Sequence, residues 1–186
     1  MKHRKYLLKT CVLLFLFVCA SAAPSVFAQD GPPESQKIGV GIRADGFVAA
    51  VDFNVRFWTE SKFGFEAGYG QRYGWKEVPI SALYTLAHIN TDSVYIRPYV
   101  GGGISINSIP SGYSCSGDWE TGDISCGISS ATKIGGQGFG GVEFTFTAVP
   151  RLSLGVDVGH WRVPSGYKGL SFSETGIKFN VHYYLK

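Results

Sequence analysis

The segment 47–58 constrains the fold of this chain more than any other. Its odd-numbered positions are all apolar, whereas Asp52, Asn54 and Arg56 stand at even-numbered positions. A β-strand points alternate side chains to opposite faces, so one face of this segment is apolar and the other carries a carboxylate and a guanidinium. Twelve residues are long for a strand of a soluble sheet and match a tilted strand that crosses a bilayer. Repetition of the pattern elsewhere predicts a barrel in a membrane.

The first 28 residues are typical of a secretory signal peptide. Basic residues precede a short apolar run, and small residues suited to cleavage follow, ending at Ala22 or Ala28. An uncleaved membrane anchor is the alternative, but it needs a longer apolar run. We therefore interpret 1–28 as a signal peptide, 29–36 as a flexible lead-in and 37–186 as one β-barrel domain.

The charge of the chain changes when residues 1–28 are removed. They contain four of the 17 Lys and Arg residues and none of the 14 Asp and Glu residues, so the mature chain has 13 basic residues and a net charge of −1. The basic character of the precursor belongs to its targeting segment, and we expect no nucleic-acid partner.

Two cysteines, Cys115 and Cys126, remain in the mature chain within a Gly- and Ser-rich segment. In an oxidising compartment such a pair predicts a disulfide that closes a loop, with an entropic stabilisation of roughly 2–3 kcal/mol. A metal site is the alternative, but neither a histidine nor a second cysteine pair is nearby. We expect no metal and no cofactor.

The mature chain contains repeated strand patterns and neither a helical period nor an apolar run of 18 residues. Eight strands are predicted, at 37–44, 47–58, 63–72, 77–88, 93–107, 133–147, 151–162 and 170–186. Short turns on one side and longer loops on the other are the pattern of outer-membrane barrels, with both termini at the periplasmic end. Aromatic residues gather at that end, as in an interfacial girdle: Phe57, Trp58, Phe146, Tyr183 and Tyr184.

Glycines and balanced charges decide which face is predicted to lie inside. A soluble lipocalin-like ligand-binding barrel, the alternative, has its apolar face inward. Here the polar face is rich in glycine, which suits a narrow interior better than a solvated surface. The same face carries four cations and four anions: Arg43, Arg56, Arg97 and Lys178 with Asp52, Glu66, Glu143 and Asp157. Enclosed charges must be paired, so we interpret these eight as a structural network, with an ion path as the alternative.

Four glycine-rich motifs give the chain a family resemblance. They are Ile-Gly-Val-Gly-Ile at 38–42, Phe-Glu-Ala-Gly-Tyr-Gly at 65–70, Arg-Pro-Tyr-Val-Gly-Gly-Gly at 97–103 and Gly-Phe-Gly-Gly-Val-Glu-Phe at 138–144. Through them the chain resembles the small eight-stranded outer-membrane barrels of Gram-negative bacteria, the OmpA/OmpX-like and opacity-type group. The resemblance implies an all-β, eight-stranded antiparallel up-and-down transmembrane barrel in the outer membrane. It also implies a monomer that contacts outer-membrane lipid and, during biogenesis, the barrel assembly machinery.

The segment 108–132 is predicted to be a long external loop stapled by the cysteine pair. Loops on rigid scaffolds carry recognition, and a stapled loop is pre-ordered for binding. Its candidate binding residues are Tyr113, Asp118, Trp119, Glu120 and Asp123. We interpret the protein as a structural or surface-interaction barrel with an extracellular partner that the sequence does not identify.

A lipid A-modifying enzyme of the outer leaflet is the second functional hypothesis. Some eight-stranded barrels deacylate lipid A with a His/Ser/Glu site on the outward surface, and His160 and Glu174 lie fourteen residues apart here. That pattern requires a serine at position 162, where this chain has Arg162; Ser165, in a loop, is another candidate. Because nucleophilic catalysis needs Ser and His within hydrogen-bond reach, we predict that the protein is not an enzyme.

Overall fold

The computed structural model describes residues 37–45, 51–72, 75–118, 123–164 and 171–185. The predicted signal peptide and lead-in therefore lie outside the described residues. Within these ranges, no helix is long and apolar enough to cross a membrane.

The described residues form nine antiparallel strands of one closed sheet. Their bounds are β1 Ile38–Asp45, β2 Val51–Trp58, β3 Phe63–Arg72, β4 Trp75–Thr85, β5 Ile89–Asn90, β6 Val94–Asp118, β7 Asp123–Phe146, β8 Leu152–Pro164 and β9 Ser171–Leu185. Sequential long strands pair with one another, β1 pairs with β9, and β4 pairs with β6, which closes the ring. The two-residue β5 pairs with β6 at the rim. The eight long strands confirm the predicted antiparallel up-and-down barrel.

Burial alternates along the strands, and its sense decides between the two kinds of barrel. In β2, the Phe53 side chain is 67% exposed, whereas Arg56 is fully buried. The same sense holds around the wall: most large apolar side chains face outward, whereas the charged side chains face inward together with a smaller group of apolar and aromatic residues. The lipocalin-like alternative, which needs an apolar interior, is wrong for this chain.

Residues 108–118 and 123–132 form the two paired strands of a β-hairpin, so the predicted long loop is wrong for these described residues. The pairing of β6 with β7 continues from Ile109 opposite Ala131 to Asp118 opposite Asp123, with a bulge between Pro110 and Gly112. Cross-strand hydrogen bonds satisfy the backbone there, as they do in the wall. Because β4 pairs with β6 only as far as Ser108, and β8 pairs with β7 only as far as Gly136, the hairpin extends past both neighbours.

The two ends of the barrel differ. At the terminal rim, β1 begins, β9 ends, and the turns 59–62, 86–93 and 147–151 connect strands; the hairpin rim is the opposite end. Three of the predicted girdle aromatics face outward at the terminal rim, namely Phe57, Phe146 and Tyr183. The other two, Trp58 and Tyr184, are buried inside the barrel at 2% and 0% exposure. Their assignment to the girdle was wrong, because their strand positions share the inward parity of the charged residues.

Candidate functional site

The interior of the barrel holds all eight predicted charged residues, and each is the direct cross-strand partner of an opposite charge. Arg43 lies opposite Asp52, Arg56 opposite Glu66, Arg97 opposite Glu143, and Asp157 opposite Lys178. All eight are at most 3% exposed. The strand register thus places four ion-pairing positions on neighbouring strands of the inner face, where side chains directly across a ladder lie close enough to interact.

Contacts between the first three of these pairs join them into one network, which we call the charge network. Arg43 contacts Glu66 at 2.8 Å and Asp52 at 3.3 Å. Arg56 bridges two carboxylates, contacting Glu66 at 2.5 Å through Nη2 and Glu143 at 2.8 Å through Nη1. The fork of a guanidinium suits such bidentate recognition. Arg56 therefore connects the β2–β3 side of the barrel to β7 across the interior.

The charge network continues toward the terminal rim through Arg97. This guanidinium donates to Glu143 at 3.3 Å and to the Tyr95 hydroxyl at 3.4 Å. The Tyr95 hydroxyl is also hydrogen-bonded to Nδ1 of His88, in the turn after β4. Hydrogen bonds thus run without interruption from His88 at the rim to Asp52 on the opposite half of the barrel.

Asp157 and Lys178 use neutral partners as well as their cross-strand position. Asp157 accepts hydrogen bonds from the Tyr99 hydroxyl at 2.5 Å and from Nδ2 of Asn180 at 2.7 Å. Nζ of Lys178 lies 4.1 Å from the centroid of the Trp161 ring, in a cation–π contact. Neutral donors and an aromatic face thus complete the environment of this buried pair.

Aromatic residues are the part of the interior that the sequence reasoning missed. Trp58 donates to the Tyr184 hydroxyl at 3.0 Å, and Tyr184 in turn donates to Glu143 at 2.9 Å. Guanidinium carbons lie over aromatic rings, at 4.6 Å for Arg97 over Trp58 and 4.8 Å for Arg56 over Tyr99. The signal available in the sequence was that these aromatic residues occupy the same alternate positions of their strands as the inward-facing charged residues.

His182 is a further buried residue to which the sequence analysis assigned no role. It is fully buried, and its Nε2 lies 4.0 Å from a Glu66 oxygen. It follows Lys178 and Asn180 at two-residue intervals on β9, so its parity could have placed it inside. Its location adds a titratable side chain to the carboxylate side of the charge network.

The predicted binding residues of segment 108–132 belong to the projecting hairpin or lie outside the described residues. Tyr113, Asp118 and Asp123 are on the paired backbone of the hairpin. Trp119 and Glu120 lie outside the described residues.

Cys115 and Cys126 are direct cross-strand partners in the hairpin. Antiparallel partners have Cα atoms about 4.5–5.5 Å apart, and a disulfide requires about 4.4–6.8 Å. The backbone register is therefore compatible with the predicted bond.

The residues of the enzyme hypothesis are only partly brought together. His160 faces outward on β8; its Nε2 is 2.9 Å from the Ser173 hydroxyl, and its Nδ1 is 2.9 Å from the Thr175 hydroxyl. Glu174 lies between these two residues on β9 and is the cross-strand partner of the inward-facing Trp161. The structure thus gives His160 a serine other than the expected one, and a threonine hydroxyl in place of the carboxylate. Ser165 lies outside the described residues.

Within the described ranges, no group of three His, Cys, Asp or Glu side chains could hold a metal ion.

Comparison with known proteins finds similarity of fold only. No protein family and no curated protein matches the sequence. The N-terminal β-barrel domain of Pseudomonas aeruginosa OprF is similar at 18% identity and a TM-score of 0.49, over 83% of this chain and 98% of that chain. Neisserial surface protein A (NspA) is similar at 14% identity and a TM-score of 0.45, over 80% of this chain and 93% of that chain. The closed barrel itself is established by the strand pairing of this chain.

Proposed function

We propose that this protein is an integral β-barrel of the bacterial outer membrane, with a structural charge network inside and a projecting hairpin as its interaction surface. The observation that carries the proposal is the inversion of polarity between the two faces of the wall. Ion-paired side chains are enclosed, while Phe53, Phe65 and Phe179 are each more than half exposed on the outside. Soluble monomers rarely expose a continuous apolar surface, whereas an apolar outer band is what a bilayer requires of a barrel.

The height of the apolar wall supports the membrane assignment. On β6 the outward positions from Val94 to Ile106 carry only apolar residues and one glycine. At about 3.3 Å per residue and a tilt of about 40°, these twelve steps rise about 30 Å, enough for the apolar band of about 25 Å of an outer-membrane barrel. The terminal rim then faces the periplasm and the hairpin rim faces outward. Outer-membrane lipid surrounds the wall, and the barrel assembly machinery inserts it.

The interior supports a non-porin role. Eight-stranded barrels are narrow enough to be filled by side chains, and here Arg56, Arg97, Tyr99 and Tyr184 are among the largest fully buried residues. Because these ion pairs link strands across the interior, a role in stabilising the wall explains them better than a role in conducting ions. We infer that the charge network is structural.

The projecting hairpin is the proposed interaction surface, with an extracellular ligand as its partner. It extends beyond both neighbouring strands, so its outer part lies outside the membrane in the proposed orientation. A Cys115–Cys126 disulfide would pre-order the hairpin and so lower the entropic cost of binding.

The protein is proposed to have no catalytic activity on lipid. Ser173 and His160 are within hydrogen-bond reach, but Nδ1 of His160 meets the Thr175 hydroxyl and not a carboxylate. An imidazole without an anionic partner is a weaker base for activating a hydroxyl. We expect the lipid A mass spectrum of an expressing strain to be the same for the wild type and for Ser173→Ala. A serine-dependent loss of an acyl chain would contradict this expectation.

Fractionation combined with gel mobility tests the proposed function. The full chain should appear in the outer-membrane fraction and migrate differently on a gel before and after boiling, as closed barrels do. Release by osmotic shock, with no heat-dependent mobility, would refute it. The purified barrel in planar bilayers should show no steady conductance above that of protein-free bilayers, and a stable open channel would contradict the non-porin role.

A further inference from the structure

A depression interrupts the outward face of the wall near the hairpin rim, away from the charge network. It has a volume of about 520 Å³ and is lined in part by Ile134, Gly136, Gly138, His160 and Arg162. The strand register forms it, because Gly136 lies opposite Arg162 and Gly138 opposite His160 on adjacent strands. Two residues without side chains thus stand beside two basic ones.

Packing does not explain the two glycines of this depression. A Cβ atom at Gly136 or Gly138 would meet no described atom within 4 Å. The inward glycines differ: a Cβ at Gly39 would lie 2.9 Å from Tyr184, and one at Gly101 would lie 2.6 Å from Phe139. Because glycine weakens a strand relative to residues with side chains, these two glycines lower strand stability and keep an open space on the outer wall.

The edge of the depression is polar. Hydroxyls of Ser173 and Thr175 hold both nitrogens of the His160 ring at 2.9 Å. Arg162 is exposed on the same outward face, and Ser173 is its cross-strand partner. A guanidinium beside hydroxyl donors suits a phosphate, since Arg presents a fork of N–H groups that matches phosphate oxygens.

A second depression on the outer wall provides a contrast. It has a volume of about 390 Å³ and is lined by residues that include Val40, Phe53, Ala67 and Tyr69, with no charged residue among them. A hollow on the outer wall therefore need not be lined by a charged residue. Both basic side chains of the first depression lie where the apolar band ends.

We propose that the depression at the hairpin rim binds a lipid that carries a phosphate on its headgroup. One acyl chain lies over Gly136 and Gly138, Arg162 binds the phosphate, and His160, held by its hydroxyl partners, lines the site. A lipid fits better than free phosphate because the floor beside the cation is apolar and open to the bilayer. This inference rests on the proposed membrane location and identifies the kind of lipid that the wall selects.

Native mass spectrometry of the full barrel in detergent micelles tests the inference. The probes are dipalmitoyl phosphatidic acid and dipalmitoylglycerol, which have the same chains with and without phosphate, and inorganic phosphate as competitor. We expect wild type to retain phosphatidic acid about tenfold better than dipalmitoylglycerol, the size of effect of about one charge-assisted contact. Arg162→Gln should remove that preference, and Gly138→Leu should reduce retention of both lipids. Ala67→Leu, which fills the second depression, should change neither.

Equal retention of the two lipids by wild type, or an unchanged preference in Arg162→Gln, would overturn the inference. Competition by inorganic phosphate at the concentration of the lipid would identify a free-phosphate site and would also overturn it. Heat-dependent gel mobility shows that each variant is folded. A folded barrel in the outer membrane without phosphate preference refutes this inference alone, whereas a soluble wild-type protein refutes the proposed function.

Discussion

The barrel wall and the projecting hairpin are built from the same two long strands but are stabilised differently. In the wall, each of the eight long strands has a neighbour on both sides, and the charge network links β1, β2, β3, β6 and β7 from inside. In the hairpin, β6 and β7 have only each other among the described strands, with Cys115 opposite Cys126. The wall is therefore stabilised by closure of the sheet and by enclosed ion pairs, whereas the hairpin is stabilised by the pairing of its own two strands.

The largest effect is expected from removing the centre of the charge network. Arg56→Met leaves Glu66 and Glu143 buried without their shared cation, which should lower the free energy of unfolding by about 3–5 kcal/mol. Urea unfolding in lipid vesicles, followed by heat-dependent gel mobility, measures the change. The matched control is Lys37→Met, because the Lys37–Glu60 pair is exposed and should contribute at most about 1 kcal/mol. Equal effects of the two substitutions would show that burial of the network is not what stabilises the wall.

The second prediction separates the hairpin from the wall. Replacing Cys115 and Cys126 with serine should make the hairpin more sensitive to protease, with a local loss of up to about 2–3 kcal/mol. Barrel unfolding should stay the same within error, because the hairpin extends beyond the closed sheet. Limited proteolysis with and without reductant measures the first effect, and urea unfolding the second. A large fall in barrel stability would mean that the two regions are coupled.

A smaller effect is expected from removing one neutral donor. Tyr99→Phe takes away the hydroxyl that donates to Asp157 and should lower the free energy of unfolding by about 1–3 kcal/mol, since a buried acceptor then loses a partner. Tyr69→Phe on the outward face is the control, because Tyr69 is 46% exposed. The same unfolding assay measures both variants. A Tyr99→Phe barrel as stable as the control would show that the hydrogen bond from Tyr99 to Asp157 does not stabilise the barrel.

The smallest effect concerns His88 at the terminal rim. Burial, and then the charges of Arg97 and Lys62, lower its pKa below the ordinary value of 6.5. The unfolded chain therefore takes up a proton at a higher pH than the folded barrel, so His88 reduces stability as the pH falls below about 6.5. We expect His88→Gln to weaken the decline in unfolding free energy between pH 7.5 and pH 5.5. An identical pH profile in the two proteins would rule out this contribution.

Alternation predicted the wall well and the hairpin badly, for one physical reason. The strand β3 runs from Phe63 to Arg72, the bounds that alternation predicts, because an apolar outer surface and a packed polar interior impose opposite requirements on its two faces. Beyond Ser108 no described residue of β4 pairs with β6, so the hairpin formed by β6 and β7 no longer separates an inside from an outside. Residues of the hairpin therefore no longer need to alternate between apolar and polar side chains. Their high content of Gly and Ser is typical of a loop, which is why the sequence predicted one.

The inward parity of the eight charged residues could be predicted from the sequence, but their pairing could not. The alternation along one strand predicts which of its side chains point inward. It does not predict which residue of another strand lies opposite, and Arg97 and Glu143, which pair, are 46 positions apart in the sequence. The position of Arg56 between Glu66 and Glu143 depends on how the ring closes. Trp58 and Tyr184 were misplaced because aromatic character at a strand end suggested an interface more strongly than parity suggested an interior.

The seam between β1 and β9 has a consequence for biogenesis. Ile38 pairs with Leu185, so the first strand gains its second neighbour only after the last strand has been synthesised. Until then, the first strand presents an open edge that can pair with other chains. Because pairing of residues this far apart in the sequence is slow, we expect closure of this seam to be a late step in the folding of the barrel.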